Sequence, residues 1–281
     1  MLVRSLDVHL MNATAPADLS GARRGVTEFL YFGIKQARAC LFAGLFFAAV
    51  FAVPRAGVLG IPRYDLLLLI ALAIQGWMLL AKLESWDEVK AITLFHLIGF
   101  ALEVFKTSPA IGSWSYPDFA YTKVFGVPLF SGFMYAAVGS YIIQSWRLLH
   151  QRILHHPPYW MATVLAIAIY ANFFTHHFMP DLRWYLAACA LGLYARATVV
   201  YRPLDRDRTM PLLLGFVLVG FFIWLAENIS TFFAVWHYPD QLGAWTTVHV
   251  GKWSSWSLLV VMTFTIVANL KHMKERVHVP A

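Results

Sequence analysis

The sequence predicts an all-α, polytopic membrane protein with about eight transmembrane helices. Its 281 residues are 59% hydrophobic and only 13% charged, whereas soluble domains carry about 25% charged residues. The mean hydropathy is +0.61. Such a chain cannot cover its own surface with polar groups, so we expect the lipid bilayer to be its solvent and its first partner.

Eight apolar runs are long enough to cross a bilayer, which takes about 20 mostly apolar residues. The segment Thr27–Arg38 has the pattern of an amphipathic surface helix, and its last two residues overlap the first run. Proline marks several connections, including Pro54 after the first run and Pro157–Pro158 before the fifth. In order, the runs are roughly Ala37–Val53, Tyr64–Leu80, Val89–Phe105, Val127–Trp146, Trp160–Phe178, Trp184–Tyr201, Met210–Val235 and Trp253–Leu270.

The positions of the basic residues favour this number of spans. With the amino terminus in the cytoplasm, sixteen of the 22 lysines and arginines lie on the inner side and six on the outer side. Short loops follow this positive-inside bias, so we expect both termini to be cytoplasmic. The predicted regions are a polar tail (1–25), a transmembrane domain (26–271) and a basic tail (272–281).

A faint internal repeat divides the transmembrane domain into residues 26–150 and 156–271. In the third run Glu103 precedes the loop sequence Trp114-Ser-Tyr-Pro-Asp118, and in the seventh run Glu227 precedes Trp236-His-Tyr-Pro-Asp240. The two copies are four helices apart and therefore point the same way, as in transport proteins built from parallel repeats. The alternative is that aromatic-Pro-Asp loops recur by chance at the outer membrane interface.

Glu103 and Glu227 are the candidate catalytic residues, because they are the acids that lie clearly inside apolar runs. An ionisable side chain at depth costs about 2.5–3.5 kcal/mol on the insertion scale, so a functional role is the default expectation. The alternative is a structural acid that is bonded to Lys106, Asn228 or a neighbouring tryptophan.

Candidate binding residues lie around the two glutamates. They are aromatic or amide side chains near the outer ends of the predicted helices, where they could line a polar pocket or simply bond one helix to another. These residues are Trp114, Tyr116, Asn172, Trp224, Asn228, Trp236 and Tyr238.

A metal ion or other cofactor is left open by the sequence. His176, His177 and His237 lie on the same predicted side as the glutamates and are candidate ligands. Nucleotide-binding and serine-hydrolase motifs are absent, which disfavours ATP hydrolysis, nicotinamide chemistry and serine hydrolysis. The net charge of +7 reflects membrane orientation, so no nucleic-acid partner is expected.

Four stretches carry a specific family resemblance: Phe105–Pro117, Phe125–Tyr135, Asn172–His177 and Phe222–Asn228. Together they resemble the YoaT-like family of bacterial integral membrane proteins, over nearly the whole chain from about residue 25. This resemblance implies a multi-pass protein of the bacterial cytoplasmic membrane and brings no established activity.

A weaker resemblance links part of the chain to membrane carotenoid hydratases and small lycopene cyclases. Glu103, Gly112, Tyr116 and Gly126–Leu129 match their outline of a membrane glutamate, an aromatic loop and a Gly-Val-Pro-Leu start of the next helix. Trp114 stands where those enzymes more often have tyrosine. The resemblance covers two helices and a loop.

The favoured function is an intramembrane enzyme that acts on an isoprenoid or another hydrophobic small molecule near the outer face. Glu103 and Glu227 would act as acid and base, and aromatic faces would hold a cationic intermediate. The alternatives are a small-solute or proton-coupled transporter and a membrane scaffold or sensor.

Overall fold

The computed structural model describes residues 2–16 and 19–277, which form a mostly helical protein, as predicted. The predicted basic tail 272–281 therefore extends past the described residues, and the helix before it continues to Val277. The α-helices of the described chain are α1 (Leu2–Met11), α2 (Gly21–Ala39), α3 (Leu41–Ala52), α4 (Arg63–Leu80), α5 (Trp86–Thr107), α6 (Ser131–Leu148), α7 (Tyr159–Thr175), α8 (Arg183–Tyr194), α9 (Leu212–Phe232) and α10 (Lys252–Val277).

In the described part of the chain, five short strands form two small antiparallel sheets. One is a β1–β2 hairpin, and the other has the order β3–β4–β5. Strands of two to four residues leave no period-2 signal, so the sequence did not predict them. The strands are β1 (Lys123–Val124), β2 (Val127–Pro128), β3 (Arg152–Leu154), β4 (Thr198–Tyr201) and β5 (Arg208–Pro211).

Each of the eight predicted runs overlaps one helix from α3 to α10, but the sixth run was drawn too long. The predicted run Trp184–Tyr201 contains the 12-residue helix α8, a turn, and then strand β4. The reason is local: Thr198, Val199 and Val200 are β-branched and pair with β3 and β5. Helix α8 alone is about 18 Å long, which is shorter than the hydrocarbon core.

Three helices of the described chain, α4, α9 and α10, are long and apolar enough to cross a membrane. Helices α2 and α3 together make a fourth candidate span that is bent by 67°. These helices indicate a membrane protein. The predicted amphipathic segment Thr27–Arg38 lies inside α2, and the bend separates it from the apolar helix α3.

The helices begin and end at two places in the molecule, which we call the sheet end and the loop end. At the sheet end, beside strands β3–β5, the polar face of α2 is bound to the β4–β5 hairpin. There Glu28 accepts hydrogen bonds from Arg24 at 2.8 Å and Arg208 at 2.8 Å, and Lys35 donates to the Arg202 carbonyl at 2.9 Å. At the loop end lie residues 108–130 and 233–251, which connect α5 to α6 and α9 to α10.

Helix α5 packs closely on α6, and α9 packs closely on α10, at positions that only glycine can fill. A Cβ atom on Gly99 would lie 2.3 Å from the ring of Tyr135, and one on Gly220 would lie 2.4 Å from Ser257 Oγ. Small residues of this kind allow helices in membranes to approach closely. This packing places α6 beside the Glu103 helix and α10 beside the Glu227 helix.

Candidate functional site

Glu103 is buried at the loop end of α5, with 2% of its surface exposed. Three side chains donate hydrogen bonds to its carboxylate. Trp114 Nε1 and Tyr116 OH reach Oε2 at 2.8 and 2.9 Å, and Tyr135 OH reaches Oε1 at 2.8 Å. Two of these donors come from the following loop and one from α6. Both carboxylate oxygens are thereby fixed in position.

Glu227 has an equivalent environment at the loop end of α9, where it is 3% exposed. Tyr238 OH donates to Oε1 at 2.5 Å, and Trp256 Nε1 donates to Oε2 at 2.8 Å. Tyr238 belongs to the following loop, and Trp256 is the fifth residue of α10. Tyr135 is likewise the fifth residue of α6. Each glutamate is therefore held by its own loop and by the next helix.

The two loops pair with each other through their backbones. Ser115 and His237 form an isolated antiparallel bridge, in which each amide N–H donates to the other residue's carbonyl at 3.0 Å. These residues occupy the same position in the two Trp-x-Tyr-Pro-Asp segments. The pairing brings the two glutamate environments into one site.

Six aromatic residues surround the two carboxyl groups and form what we call the aromatic cage. Its rings meet in pairs, and each pair joins one residue that precedes position 150 to one that follows it. The pairs, with their centroid distances, are Trp114–Tyr238 (6.0 Å), Tyr116–Trp236 (6.4 Å) and Tyr135–Trp256 (6.5 Å).

The phenol groups of the cage are held in their protonated, donating form. Burial, and next the negative charge of Glu103, raise the pKa of Tyr116 well above its usual value. Burial and the charge of Glu227 do the same to the pKa of Tyr238. A tyrosine that keeps its proton can go on donating a hydrogen bond to the carboxylate beside it.

A cavity of about 840 Å³ runs from the aromatic cage toward the sheet end and is lined mainly by apolar side chains. Both glutamates line it at the loop end, and Gln151 lines it near the sheet end. Two other lining residues, Phe29 on α2 and Phe222 on α9, are 73% and 65% exposed. The cavity wall therefore includes apolar side chains that are also exposed on the surfaces of α2 and α9.

Asn172, Trp224 and Asn228 are placed to hold loops rather than to reach the carboxyl groups. Asn172 donates to Asp181 at 3.1 Å, although it also lines the cavity. Trp224 Nε1 donates to the Val248 carbonyl at 3.1 Å, and Asn228 Oδ1 accepts from the Val248 amide at 2.9 Å. Their predicted binding role stays a prediction.

The three candidate metal ligands are divided between two places. Lys106 Nζ lies 3.2 Å from His176 Nε2 and 2.7 Å from His177 Nε2, so a cation already faces both rings. His237 belongs to the bridge between the two loops. In residues 2–16 and 19–277, no three His, Cys, Asp or Glu side chains form a group that could hold a metal ion.

Comparison with known proteins shows which family the chain matches. Residues 28–264 match the family described as "Protein of unknown function (DUF817)". The chain belongs to this family. It is also similar to the "Uncharacterized protein YoaT" of Bacillus subtilis (strain 168), with 49% identity over 253 residues that cover 90% of this chain and 95% of the relative. The predicted membership of a YoaT-like family is confirmed.

The weaker of the two resemblances is not supported. The comparisons give no support to the likeness to carotenoid hydratases and small lycopene cyclases. No solved structure matches the chain. The DUF817 match contains both glutamates and every residue of the aromatic cage, so the whole candidate site lies within the family's segment.

The sequence prediction missed three residues of the site. Tyr135 and Trp256 bond the glutamates, and Lys252 Nζ lies 3.3 Å from Tyr238 OH and 4.5 Å from its ring centroid. A signal for the first two was present, because each is the fifth residue of the helix that follows a Trp-x-Tyr-Pro-Asp loop. Lys252 is the first residue of α10.

Proposed function

We propose that this protein is an intramembrane enzyme that acts on an isoprenoid or another lipid by acid–base chemistry, with Glu103 and Glu227 as its catalytic pair. One observation carries the proposal: two buried carboxyl groups share one aromatic cage at the end of a long apolar cavity. The exposed apolar side chains in the wall of that cavity suit a substrate that arrives from the bilayer.

The chemistry follows from the groups that are present. One glutamic acid donates a proton to a carbon–carbon double bond of the substrate, and the resulting cation lies against indole and phenol faces. The other carboxylate then removes a proton from an adjacent carbon or from an attacking water molecule. The outcome is isomerisation or hydration, and in neither case does the substrate gain or lose electrons overall.

We also propose that α3 to α10 are eight membrane-spanning segments, in two repeats of four, with both termini in the cytoplasm. The overlap of every predicted run with a helix supports the number of spans. The Ser115–His237 bridge supports the repeat, because it joins equivalent positions of the two loops. The basic residues of the sheet end, such as Arg147 and Arg202, support a cytoplasmic location for that end.

The test is untargeted mass spectrometry of lipid extracts from cells that express the wild type, Glu103→Gln or Glu227→Gln. A matched control is Glu84→Gln, because Glu84 is also buried but accepts its hydrogen bonds from Gln75 and Ser140, away from the cage. We expect one lipid to change with the wild type and with Glu84→Gln only. Identical extracts from all four strains, each with folded protein in the membrane, would refute the enzyme.

Transport is a second candidate, and the length of the cavity favours it. Its lining includes Lys252 at the loop end and Ser145 and Gln151 at the opposite end of α6, as a path across the membrane would require. A transporter would give pH-dependent uptake of a solute into proteoliposomes without altering any lipid. Uptake equal to that of empty liposomes would count against it.

A further inference from the structure

Lys106 is a buried lysine whose close polar partners are two histidines and not a carboxylate. It lies in the last turn of α5, and its ammonium group faces His176 and His177 at 3.2 and 2.7 Å. His176 Nδ1 lies 2.8 Å from the Asn172 carbonyl, so this nitrogen carries the proton and Nε2 is free to accept from Lys106. The imidazoles thus hold the ammonium group in place without cancelling its charge.

Two further cations line the cavity at the same end as Lys106, the loop end. Arg183 is paired with Asp181 at 3.0 Å and donates to the Gly251 carbonyl at 3.4 Å. Lys252 contacts Tyr238 OH, and it also faces the rings of Tyr238 and Trp114, with the Trp114 centroid at 5.5 Å. All three cations are close enough for the charges of Arg183 and Lys252 to act on Lys106.

The close ion pairs at this end of the cavity leave two of its three cations over. In the part of the chain that the structure describes, neither Lys106 nor Lys252 has a carboxylate within 4.0 Å, whereas Arg183 does. Glu227, Glu103 and Asp240 act on Lys252 at longer range, and Asp181 acts on Lys106. Two ammonium groups held together on the cavity wall, away from bulk water, are costly unless an anion completes the site.

We propose that this cationic cluster binds the phosphate group of an amphiphile whose hydrocarbon chain occupies the cavity. The cluster consists of Lys106, His176, His177, Arg183 and Lys252. A phosphate monoester carries a charge of about −1.5 to −2, which matches two unpaired ammonium groups better than a carboxylate does. The inference rests on the proposed function, because it names the substrate as an isoprenyl phosphate or another phosphate with an unsaturated chain that reacts beside the glutamates.

The placement of polar and apolar groups is consistent with one elongated ligand. Lys106, Arg183 and Lys252 line the cavity at the end that holds both glutamates, and the remainder of its wall is mainly aliphatic and aromatic. A phosphate at the cationic cluster would leave the first carbons of the chain beside Glu103 and Glu227. The head group therefore determines which bonds of the chain can reach the carboxyl groups.

The test is native mass spectrometry of the detergent-solubilised full chain with hexadecyl phosphate, hexadecanol and inorganic phosphate. Loss of one charge-assisted contact should weaken binding of hexadecyl phosphate about 10- to 100-fold in Lys106→Gln and in Lys252→Gln. Lys106→Arg retains the charge and should bind within about threefold of the wild type. The control is Lys90→Gln, because Lys90 is exposed, pairs with Asp87 at 3.4 Å and lies at the other end of α5.

Each outcome decides a different point. Tight hexadecyl phosphate binding that weakens in both glutamine variants supports the amphiphile. Equally tight binding of inorganic phosphate, also lost in Lys106→Gln, supports the anion site with free phosphate as its source. Equal binding of hexadecyl phosphate and hexadecanol, or undiminished binding by a folded Lys106→Gln protein, overturns the inference. Binding that persists while no lipid is converted refutes the proposed enzyme and leaves the phosphate site standing.

Discussion

Arg63 binds the ends of two helices together, and we expect Arg63→Met to be strongly destabilising. Its side chain is 3% exposed and donates to the Phe233 carbonyl at 2.8 Å and the Val50 carbonyl at 3.1 Å. Val50 lies in the last turn of α3 and Phe233 directly follows α9. Carbonyl groups at helix carboxyl ends carry partial negative charge and favour a cation.

The expected loss can be worked out from these two contacts. A hydrogen bond with a charged partner contributes about 1.5–3 kcal/mol, and in Arg63→Met the buried Val50 carbonyl would lose its Arg63 donor. Arg63→Met should therefore lower the free energy of unfolding by about 3–5 kcal/mol. Arg55→Met is the control, because Arg55 has one exposed ion pair with Asp118 at 3.0 Å. Such pairs contribute less than about 1 kcal/mol.

The assay is reversible unfolding in mixed detergent micelles, followed by tryptophan fluorescence as denaturant is increased. Arg63→Lys should fall between the wild type and Arg63→Met, because it retains the charge but not the fork of two donors. If Arg63→Met unfolds within about 1 kcal/mol of Arg55→Met, the guanidinium–carbonyl contacts do not hold α3 to α9 and the reasoning fails.

Three further predictions concern the cage, a half-buried histidine and the cavity. Tyr135→Phe removes one donor to the Glu103 carboxylate, which we propose to be catalytic, and should slow lipid conversion about 10- to 100-fold. Tyr170→Phe should match the wild type in the same assay, because the Tyr170 hydroxyl donates to a backbone carbonyl. Burial lowers the pKa of His156, so folding favours its neutral form and stability should fall as the pH drops below about 6.5. Thermal unfolding across this range should be less pH-dependent in His156→Gln, and an unchanged dependence would contradict this. Cys40 lines the cavity whereas Cys189 is exposed elsewhere, so hexadecyl phosphate should slow alkylation of Cys40 alone, and equal slowing at both would argue against occupancy.

Much of the helical fold could be predicted because lipid imposes a length and an apolarity on each span. Hydropathy alone gave the wrong end for α8. Trp184–Tyr201 is one continuous apolar run in the sequence, but the helix ends at Tyr194. Hydropathy does not distinguish a helix from a strand, so the β4 segment was merged with the helix. The amphipathic segment Thr27–Arg38 was identified because the apolar pattern changes from one-sided to continuous where α2 meets α3, but the bend between these helices was not predicted.

The candidate site was partly predictable because its loops repeat a sequence. Glu103, Trp114, Tyr116 and their counterparts were identified from that repeat, and they do form one cage around both carboxyl groups. The contact of Lys106 with His176 and His177 was not predicted from the sequence. About 70 residues separate the lysine from the histidines, and only the packing of α5 on α7 brings them together. Tyr135 was missed because an aromatic residue in an apolar helix resembles one that faces lipid.

The central claim is that the two glutamates transfer protons to and from a lipid carbon. The most direct measurement is deuterium incorporation, in which membrane vesicles are incubated in heavy water and their lipids are analysed by mass spectrometry. The account predicts that one lipid gains solvent deuterium at carbon with the wild type and with Glu84→Gln, and that Glu103→Gln and Glu227→Gln abolish the gain. Equal deuterium content with the wild type and with both folded cage variants would contradict it.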